Sequence, residues 1–305
     1  MIQPFLSICI PCFGRKEQLR NTIQSIYKDL DNVSILDFEV ILSENDRSRQ
    51  LESLIKEFNY ANLKYFYTEC EGFLNSFYAL TYGEGRFLLL HNSQELFCDN
   101  ALSYIIDLVK SNEKIKPLVS FTSGFLLNGK TKRYTDFNCF MGDLSYWSSW
   151  SNAFSIWKID FDSIKNTVEL NHLFPHTSIL VTQSQKNDFM IVDEVLFKTQ
   201  FVPKRGDHNK FHAFSVDFPA ILENVVKKKF LSSKVYKKIL DSIFYDYLPS
   251  LYFNVKICRI EEFDSDGFRE DLKRNFPDRS YYSIVLLSIL SPIKKIYVKI
   301  KKHIL

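Results

Sequence analysis

Short, almost uninterrupted apolar runs, each followed by a segment of helical periodicity, fill the first third of the chain. The runs lie at residues 5–10, 38–42, 63–67, 86–90 and 118–121. Strands of this kind are buried on both faces, which is typical of a parallel sheet between two layers of helices. The order of strands and helices therefore predicts an α/β fold with a mostly parallel, doubly wound sheet.

Helical spacing of apolar residues is seen in segments 16–30, 50–58, 74–82 and 99–110, and again from 218 to 247. Doubly wound sheets bind ligands beyond the carboxyl ends of their strands. The segments that follow those ends, at 11–15, 43–48 and 91–95, are therefore where we expect a functional site.

Composition excludes several classes of protein. The apolar fraction of 46% and the charged fraction of 25% are those of a globular protein, not of a disordered one. A net charge of +3 is too small to indicate a nucleic-acid partner. We recognise no signal peptide and no apolar stretch of about 20 residues, and therefore expect a cytoplasmic protein with free thiols.

Cys9 and Cys12 have the spacing of a redox pair, for which a thioredoxin-like role is the alternative interpretation. A reactive thiol should be exposed at a helix N-terminus, whereas Cys9 lies inside an apolar strand. No second cysteine pair provides further zinc ligands. The spacing thus favours a structural position over a redox site.

The exits of the first two strands carry recognisable motifs. The first reads LSICIPCFGR at 6–15, and the second reads VILSENDRS at 40–48. In order and spacing they resemble the S-I-x-I-P-x-Y-N-R and I-I-I-S-D-N-x-S-x-D segments of family 2 glycosyltransferases, which have the GT-A fold. Phe13 and Gly14 stand at the usual Tyr and Asn, Glu44 at the first Asp and Arg49 at the second.

The resemblance implies a GT-A-like, Rossmann-like sheet followed by a C-terminal helical extension. It divides the chain into a nucleotide-sugar-binding half at 1–115, an acceptor-binding half at 116–217 and a C-terminal helical region at 218–305. In the family the first two loops wrap the nucleotide. The nucleotide-binding residues that it implies here are Pro11, Phe13, Arg15, Glu44, Asn45, Asn75, Arg86, His91, Asn92 and Ser93.

One departure from the family pattern bears on metal binding. Where the family carries Asp-x-Asp for Mg²⁺ or Mn²⁺, this chain reads His-Asn-Ser-Gln at 91–94. Such ions require carboxylate ligands. Three explanations stay open: metal-free turnover with cationic side chains on the leaving diphosphate, weak metal binding through Glu95 and His176, or a catalytically inactive relative.

The second half is similar to abequosyltransferase-like enzymes of bacterial surface polysaccharides, through segments 147–154, 173–179 and 204–214. Inverting transfer needs a general base and positive charge on the leaving group. Asp143 and His176 are the predicted bases, with Asp160 behind them; His176 could instead be a structural histidine. Acceptor contacts are predicted for Trp147, Trp150 and Asn152, and diphosphate contacts for Lys204, Arg205 and His208.

The last 25 residues predict a basic amphipathic helix. Apolar residues from Ile293 to Ile304 share one helical face, and the lysines of 294–302 occupy the other. Such a helix suits an anionic membrane surface, although it also suits docking on the protein itself or on a partner.

The predicted function is therefore inverting transfer of a hexose-type sugar from a nucleotide-sugar donor to a glycan or lipid-linked glycan acceptor. The predicted place is the cytoplasm or the inner face of the cytoplasmic membrane. The alternative is an inactive nucleotide-sugar-binding or scaffold subunit, which the missing Asp-x-Asp favours. No cofactor is implied with certainty.

Overall fold

The computed structural model describes residues 3–200, 204–205, 208–277 and 279–304, with the backbone alone for 204–205 and 293–304. The chain forms two compact units. One comprises Met1–Asp136 and Ser148–Gln200, and the other comprises Phe137–Trp147 and Phe201–Leu305. The first is an α/β unit, and the second is mainly helical.

The α/β unit begins with the alternation of strands and helices that the apolar runs predict. Its elements, in chain order, are β1 Leu6–Cys12, α1 Lys16–Tyr27, β2 Phe38–Glu44, α2 Ser53–Phe58, β3 Leu63–Tyr67, α3 Asn75–Tyr82, β4 Phe87–Leu90, β5 Glu95–Phe97, α4 Ala101–Asn112, β6 Leu118–Phe121, β7 Thr131–Tyr134, β8 Ser155–Trp157, α6 Lys158–Ile164, α7 Pro175–Thr182, β9 Phe189–Val192 and β10 Phe197–Thr199; α5 Phe137–Leu144, between β7 and β8, belongs to the helical unit.

Five strands form the main sheet in the order β3-β2-β1-β4-β8. The first four are parallel, and β8 is antiparallel to β4. Every residue of β2 and β4 is buried, because helices cover both faces of the sheet. The predicted α/β class with a mostly parallel sheet is thus confirmed.

The fifth apolar run folds as predicted but joins a different sheet. β6 pairs with β9, and β9 with β7, in a separate three-stranded sheet, while β5 and β10 form a two-stranded one. The fifth strand of the main sheet is instead β8, whose three residues lie in a segment with an irregular sequence pattern. Three residues are too few for a pattern to show periodicity.

The Cys9–Cys12 pair has no redox geometry. Both thiols are buried in β1, and side chains three residues apart on a strand point to opposite faces. Burial raises the pKa of both thiols, so neither is a thiolate at neutral pH. The structural interpretation of the spacing is confirmed.

A buried polar network joins four elements at the amino end of the sheet. Ser7 Oγ donates to the buried Glu39 carboxylate at 2.6 Å, and Lys64 Nζ lies 2.8 Å from the same carboxylate. The Gly85 amide donates to Ser7 Oγ at 2.7 Å, and the Glu84 amide donates to Glu39 at 2.6 Å. The segment that precedes β4 lies very close to β1 here. A Cβ added at Gly85 would lie 2.7 Å from the Ser7 backbone nitrogen.

Gly85→Ala is therefore expected to destabilise the protein by about 2–3 kcal/mol, because the methyl group must push β1 and β4 apart and stretch buried hydrogen bonds. Gly142→Ala is the matched control: that glycine is helical, and its added Cβ would meet nothing closer than 3.8 Å. Urea unfolding measures both variants. Equal midpoints for G85A and the wild type would contradict the prediction.

The helical unit contains the extension that the sequence predicts. Its elements are α5, β11 Lys204–Arg205, α8 Lys210–His212, α9 Phe218–Lys227, α10 Ser233–Ser242, α11 Leu248–Tyr252, β12 Glu261–Glu262, α12 Phe268–Asn275 and α13 Tyr281–Ile304, with wider π-helical turns at Ala213–Asp217, Ile243–Tyr247 and Phe253–Ile257. Over the residues described, no helix has both the length and the apolar character needed to cross a bilayer.

Candidate functional site

The loop after β1 forms an exposed turn at the carboxyl edge of the sheet. Phe13 is 69% exposed, so its ring is accessible to a ligand at this edge. Gly14 and Arg15 both have φ of +58°, so the chain turns sharply before α1 begins at Lys16. No side chain caps this helix, so its first N–H groups remain available to an anionic ligand.

The loop after β2 lies against this turn. A Cβ added at Gly14 would lie 3.3 Å from Gln50 Nε2 and 3.8 Å from Asp46 Oδ2. The Asp46 carboxylate accepts a 3.0 Å bond from the Ser48 amide, and this bond lowers its pKa and keeps it ionised. The two loops therefore present an aromatic ring, a guanidinium and a carboxylate together.

Cationic side chains are available at this edge. In the ranges that the structure describes, no carboxylate lies within ion-pair distance of Arg15. The Arg49 guanidinium lies 3.9 Å from the centre of the Tyr67 ring, at the ends of β2 and β3. The sequence pattern marks Arg49 only as a departure from Asp, so its place at the site comes from the structure.

Glu44 does not face solvent, contrary to the role predicted for it. Its side chain is fully buried, and its carboxylate accepts bonds from the Tyr65 hydroxyl at 2.7 Å and from the Leu51 amide at 3.3 Å. Burial raises the pKa of this carboxyl. Glu44 thus fixes the β2 exit, and Asp46 is the carboxylate that can meet a base or ribose.

Asn75 also has a structural position rather than the ligand contact predicted for it. Its amide nitrogen donates to the Ser43 carbonyl at 2.7 Å and to Asn45 Oδ1 at 3.2 Å. Its oxygen accepts from Ser43 Oγ at 2.6 Å, and the residue is buried. Asn75 therefore holds the β2 exit against α3, while Asn45 bonds the Gly72 carbonyl at 3.2 Å.

Pro11 stands at the end of β1, paired with Ser43 of β2. Its ring fixes the backbone just before the exposed turn, which is a positioning role that any ligand-binding loop requires.

His91 follows β4 but cannot supply positive charge. It is buried between Phe97 and Phe197, and Nε2 lies 2.8 Å from the Glu95 carbonyl. Burial lowers the pKa of His91 to about 4, so the ring is neutral at pH 7. A carbonyl only accepts, so Nε2 carries the proton. His91 is predicted as a nucleotide-binding residue, and a buried, neutral ring cannot supply the positive charge that a leaving diphosphate needs.

The turn that replaces Asp-x-Asp is bonded internally. Asn152 Oδ1 accepts from the Asn92 amide at 2.8 Å, and Asn92 Oδ1 accepts from the Gln94 amide at 3.1 Å. Ser93 is buried, and its carbonyl accepts from Thr22 at 3.0 Å. Because the chain bonds itself here and has no carboxylate in the turn, these residues do not suit Mg²⁺ or Mn²⁺.

The other proposed metal ligands do not change this conclusion. The Glu95 carboxylate accepts from Thr199 Oγ1 at 2.8 Å, and His176 Nε2 is engaged with a backbone carbonyl. Among the residues that the structure describes, no three His, Cys, Asp or Glu side chains are grouped as metal ligands.

Arg86 lies at the wrong end of the sheet for the nucleotide role predicted for it. It precedes β4 and pairs with Glu113, whereas the exposed loops follow β1 and β2. Since these strands are parallel, the two positions are at opposite edges.

His176 is held by the segment that also positions the β4 exit. Its Nε2 lies 2.8 Å from the Ser149 carbonyl, while Asn152, three residues on, bonds Asn92. Burial lowers the pKa of His176 to about 4. With Nε2 protonated, Nδ1 is a bare acceptor, and it has no partner among the described residues. The Asn152 amide nitrogen is likewise buried and unpartnered there.

The remaining predicted residues divide between the two units. Trp150 packs edge-on against Phe125 at 4.9 Å in the α/β unit, where Asp160 also pairs with Lys186. In the helical unit, Asp143 lies 3.7 Å from Lys238, Trp147 packs on Tyr146, and the His208 ring is 5.4 Å from Phe263. The side chains of Lys204 and Arg205 lie outside the described residues; their backbones pair with Glu261 and Glu262.

Solved structures share this architecture along most of the chain. The S. aureus TarS fragment 1–349 aligns over 97% of this chain and 87% of its own, with a TM-score of 0.62 and 12% identity. The same fragment in complex with UDP-GlcNAc aligns over the same shares, at 0.58 and 14%. The fold is GT-A-like.

A second solved protein shares the GT-A-like fold. The mannosyltransferase PcManGT from Pyrobaculum calidifontis, in complex with GDP-Man and Mn²⁺, aligns over 97% of this chain and 88% of its own, with a TM-score of 0.52 and 12% identity. Against the longer TarS chain, this protein covers 53%. No protein-family model and no curated protein matches the sequence.

Proposed function

We propose that this GT-A-like protein is a family 2 glycosyltransferase that moves a sugar from a nucleotide-sugar donor to a glycan acceptor, with inversion. One observation carries the proposal: the loops after β1 and β2 meet at the carboxyl edge of the sheet and expose Phe13, two residues before Arg15, which has no carboxylate partner in the described part of the chain. That edge is where doubly wound sheets bind nucleotides.

The donor would lie across these two loops. The Phe13 ring can stack on the base, and the ionised Asp46 can accept a hydrogen bond from a ribose hydroxyl. The first amides of α1 and the Arg15 guanidinium would bind the diphosphate, because both present N–H donors and positive charge. Gly14 keeps the turn close enough to α1 for this arrangement.

Positive charge on the leaving diphosphate would come from the chain itself. The turn at 91–94 has neutral side chains, and the His91 ring is neutral at pH 7. Arg15 is a described cation at this edge, and Arg49 lies on the Tyr67 ring at the ends of β2 and β3. Lys204 and Arg205 are also proposed to contact the diphosphate, on the basis of the sequence alone.

In the transfer step the acceptor oxygen attacks the anomeric carbon from the face opposite the diphosphate. The new carbon–oxygen bond forms as the bond to the diphosphate breaks, which inverts the configuration. The acceptor proton goes to a base. The bases predicted from the sequence are His176, whose Nδ1 is a bare but buried acceptor, and Asp143. Trp147, Trp150 and Asn152 stay the predicted acceptor contacts.

The acceptor is proposed to be a glycan of bacterial surface polysaccharide, free or carried on a lipid, at the inner face of the cytoplasmic membrane. The similarity to abequosyltransferase-like enzymes supports this choice. The division into a nucleotide-sugar-binding half at 1–115, an acceptor-binding half at 116–217 and a C-terminal helical region at 218–305 is part of the same proposal. TarS is seen with UDP-GlcNAc and PcManGT with GDP-Man, so uridine and guanosine donors are tested first.

Thermal shift with UDP-, GDP-, CDP- and dTDP-sugars, followed by donor hydrolysis, tests the proposal. Binding with hydrolysis or transfer supports an enzyme. Binding without either identifies the alternative, an inactive nucleotide-sugar-binding or scaffold subunit. No binding by any donor contradicts both functions.

Phe13→Ala is expected to weaken nucleotide binding about tenfold, because it removes one aromatic stacking contact worth about 1–1.5 kcal/mol. Leu36→Ala is the matched control: Leu36 is also exposed but precedes β2, at the opposite edge of the sheet. Isothermal titration with the nucleotide found by thermal shift measures both. Equal affinity of F13A and L36A would place the base elsewhere.

A further inference from the structure

The first half of α13 leaves a continuous apolar face uncovered. Four large side chains, Tyr282, Leu286, Ile289 and Leu290, are 56–69% exposed. At 3.6 residues per turn they fall within an arc of about 100°. We call these four residues the 282–290 face. Scattered exposed apolar residues are ordinary, but four on one helical face indicate an interaction surface.

The opposite side of the helix is already used by the fold. Ile284, Ser288 and Ser291 are buried, and α13 packs there against α11 and the π-helical turn Phe253–Ile257. The Tyr252 hydroxyl lies 3.0 Å from the Tyr281 hydroxyl at the start of the helix. The 282–290 face is therefore presented outward by a helix that is fixed on its other side.

The charge of the same helix selects the partner. From Tyr281 to Ile304 the sequence contains no Asp or Glu, and it contains lysine at 294, 295, 299, 301 and 302. Arg269 adds a cation at the other end, with its guanidinium 5.3 Å from the Tyr282 ring. A second copy of this helix would meet like charge, whereas an anionic surface would be attracted.

We propose that the 282–290 face inserts into the surface of an anionic lipid bilayer, with α13 lying in the interface. The apolar side chains would enter the boundary between headgroups and acyl chains, and the lysine-rich end would stay among anionic headgroups. The sequence pattern alone places membrane contact on the lysines of 294–302. The structure adds an apolar anchor in the first turns of the same helix, before the lysines. This anchor does not depend on the proposed transfer activity.

The test is sedimentation of the full chain with sucrose-loaded vesicles of phosphatidylcholine and phosphatidylglycerol, and with phosphatidylcholine alone. The wild type should bind the anionic vesicles more tightly, and salt should weaken that binding. The double variant L286S/I289S, which keeps every lysine, should lose about tenfold or more in partitioning, because two aliphatic side chains no longer leave water.

Ile159→Ser is the matched control, since Ile159 is 64% exposed on α6 in the other unit and should not affect binding. Circular dichroism checks that the variants fold, and the single variants L286S and I289S keep the test valid if the double variant melts early. Undiminished vesicle binding by L286S/I289S would overturn the proposal, as would absence of binding by the wild type. A wild-type dimer that L286S/I289S converts to monomer, without vesicle binding, would assign the face to a second copy.

Discussion

Arg15→Ala is expected to lower kcat/KM for the nucleotide-sugar donor by about 10²–10³-fold. The leaving diphosphate gains charge in the transition state, and removal of one fixed group that stabilises such charge typically costs about 3–4 kcal/mol. Arg15 lies at the N-terminus of α1 with no carboxylate beside it within the described ranges, so its charge is available to a ligand. Steady-state kinetics of transfer or donor hydrolysis measure the loss.

Arg86→Ala is the control for Arg15. Both side chains are arginines next to strands of the same sheet, but Arg86 pairs with Glu113 at the opposite edge. R86A should therefore leave kcat/KM unchanged.

The same proposal requires that wild-type activity survive EDTA, because no carboxylate stands at the 91–94 turn. Abolition by EDTA with rescue by Mn²⁺, or equal activity of R15A and R86A, would refute this assignment of charge.

His176→Ala is expected to lower kcat by about 10²–10⁴-fold if Nδ1 accepts the proton of the attacking hydroxyl. His172→Ala is the control, since His172 is exposed four residues earlier in the chain and should not affect turnover. Asp143→Asn separates the two proposed bases. Loss of activity in D143N with an unaffected H176A would move the base to the helical unit.

The pH profile gives a second test of His176 that a purely structural role would not affect. The unprotonated ring is the active form, and burial sets its pKa at about 4. Activity should therefore hold as pH falls through 6.5 and decline only as pH approaches about 4. If a histidine supplied the positive charge instead, activity would fall as pH rises past about 6.5.

Much of the fold could be predicted because its signal is local. Buried parallel strands must be apolar along their whole length, so residues 38–42 and 86–90 are recognisable without any knowledge of their neighbours. The same holds for the exits of β1 and β2, because a polar turn after a buried strand identifies the carboxyl edge. The absence of a carboxylate at 91–94 is likewise plain from the sequence, and it raises the question of what stabilises the charge on the leaving group.

Other features of the candidate site depend on tertiary contacts that the sequence pattern does not show. Glu44 looks like a ligand because it ends a strand, but it is buried and bonded to Tyr65 and Leu51, and the half-buried Asp46 is the carboxylate that a ligand can reach. His91 loses its charge only because Phe97 and Phe197 bury it. Such burial depends on residues that are remote in the chain or on other strands, so composition and spacing cannot show it.

The final helix illustrates the same division. Its sequence alone determines that α13 is apolar, basic and free of acidic residues, because these properties belong to the residues themselves. Only the tertiary structure determines that Ile284 and Ser288 are covered while Leu286 and Ile289 are exposed. An apolar helix offers several faces of similar hydrophobicity, and the packing of α11 against one of them decides which face remains for a partner.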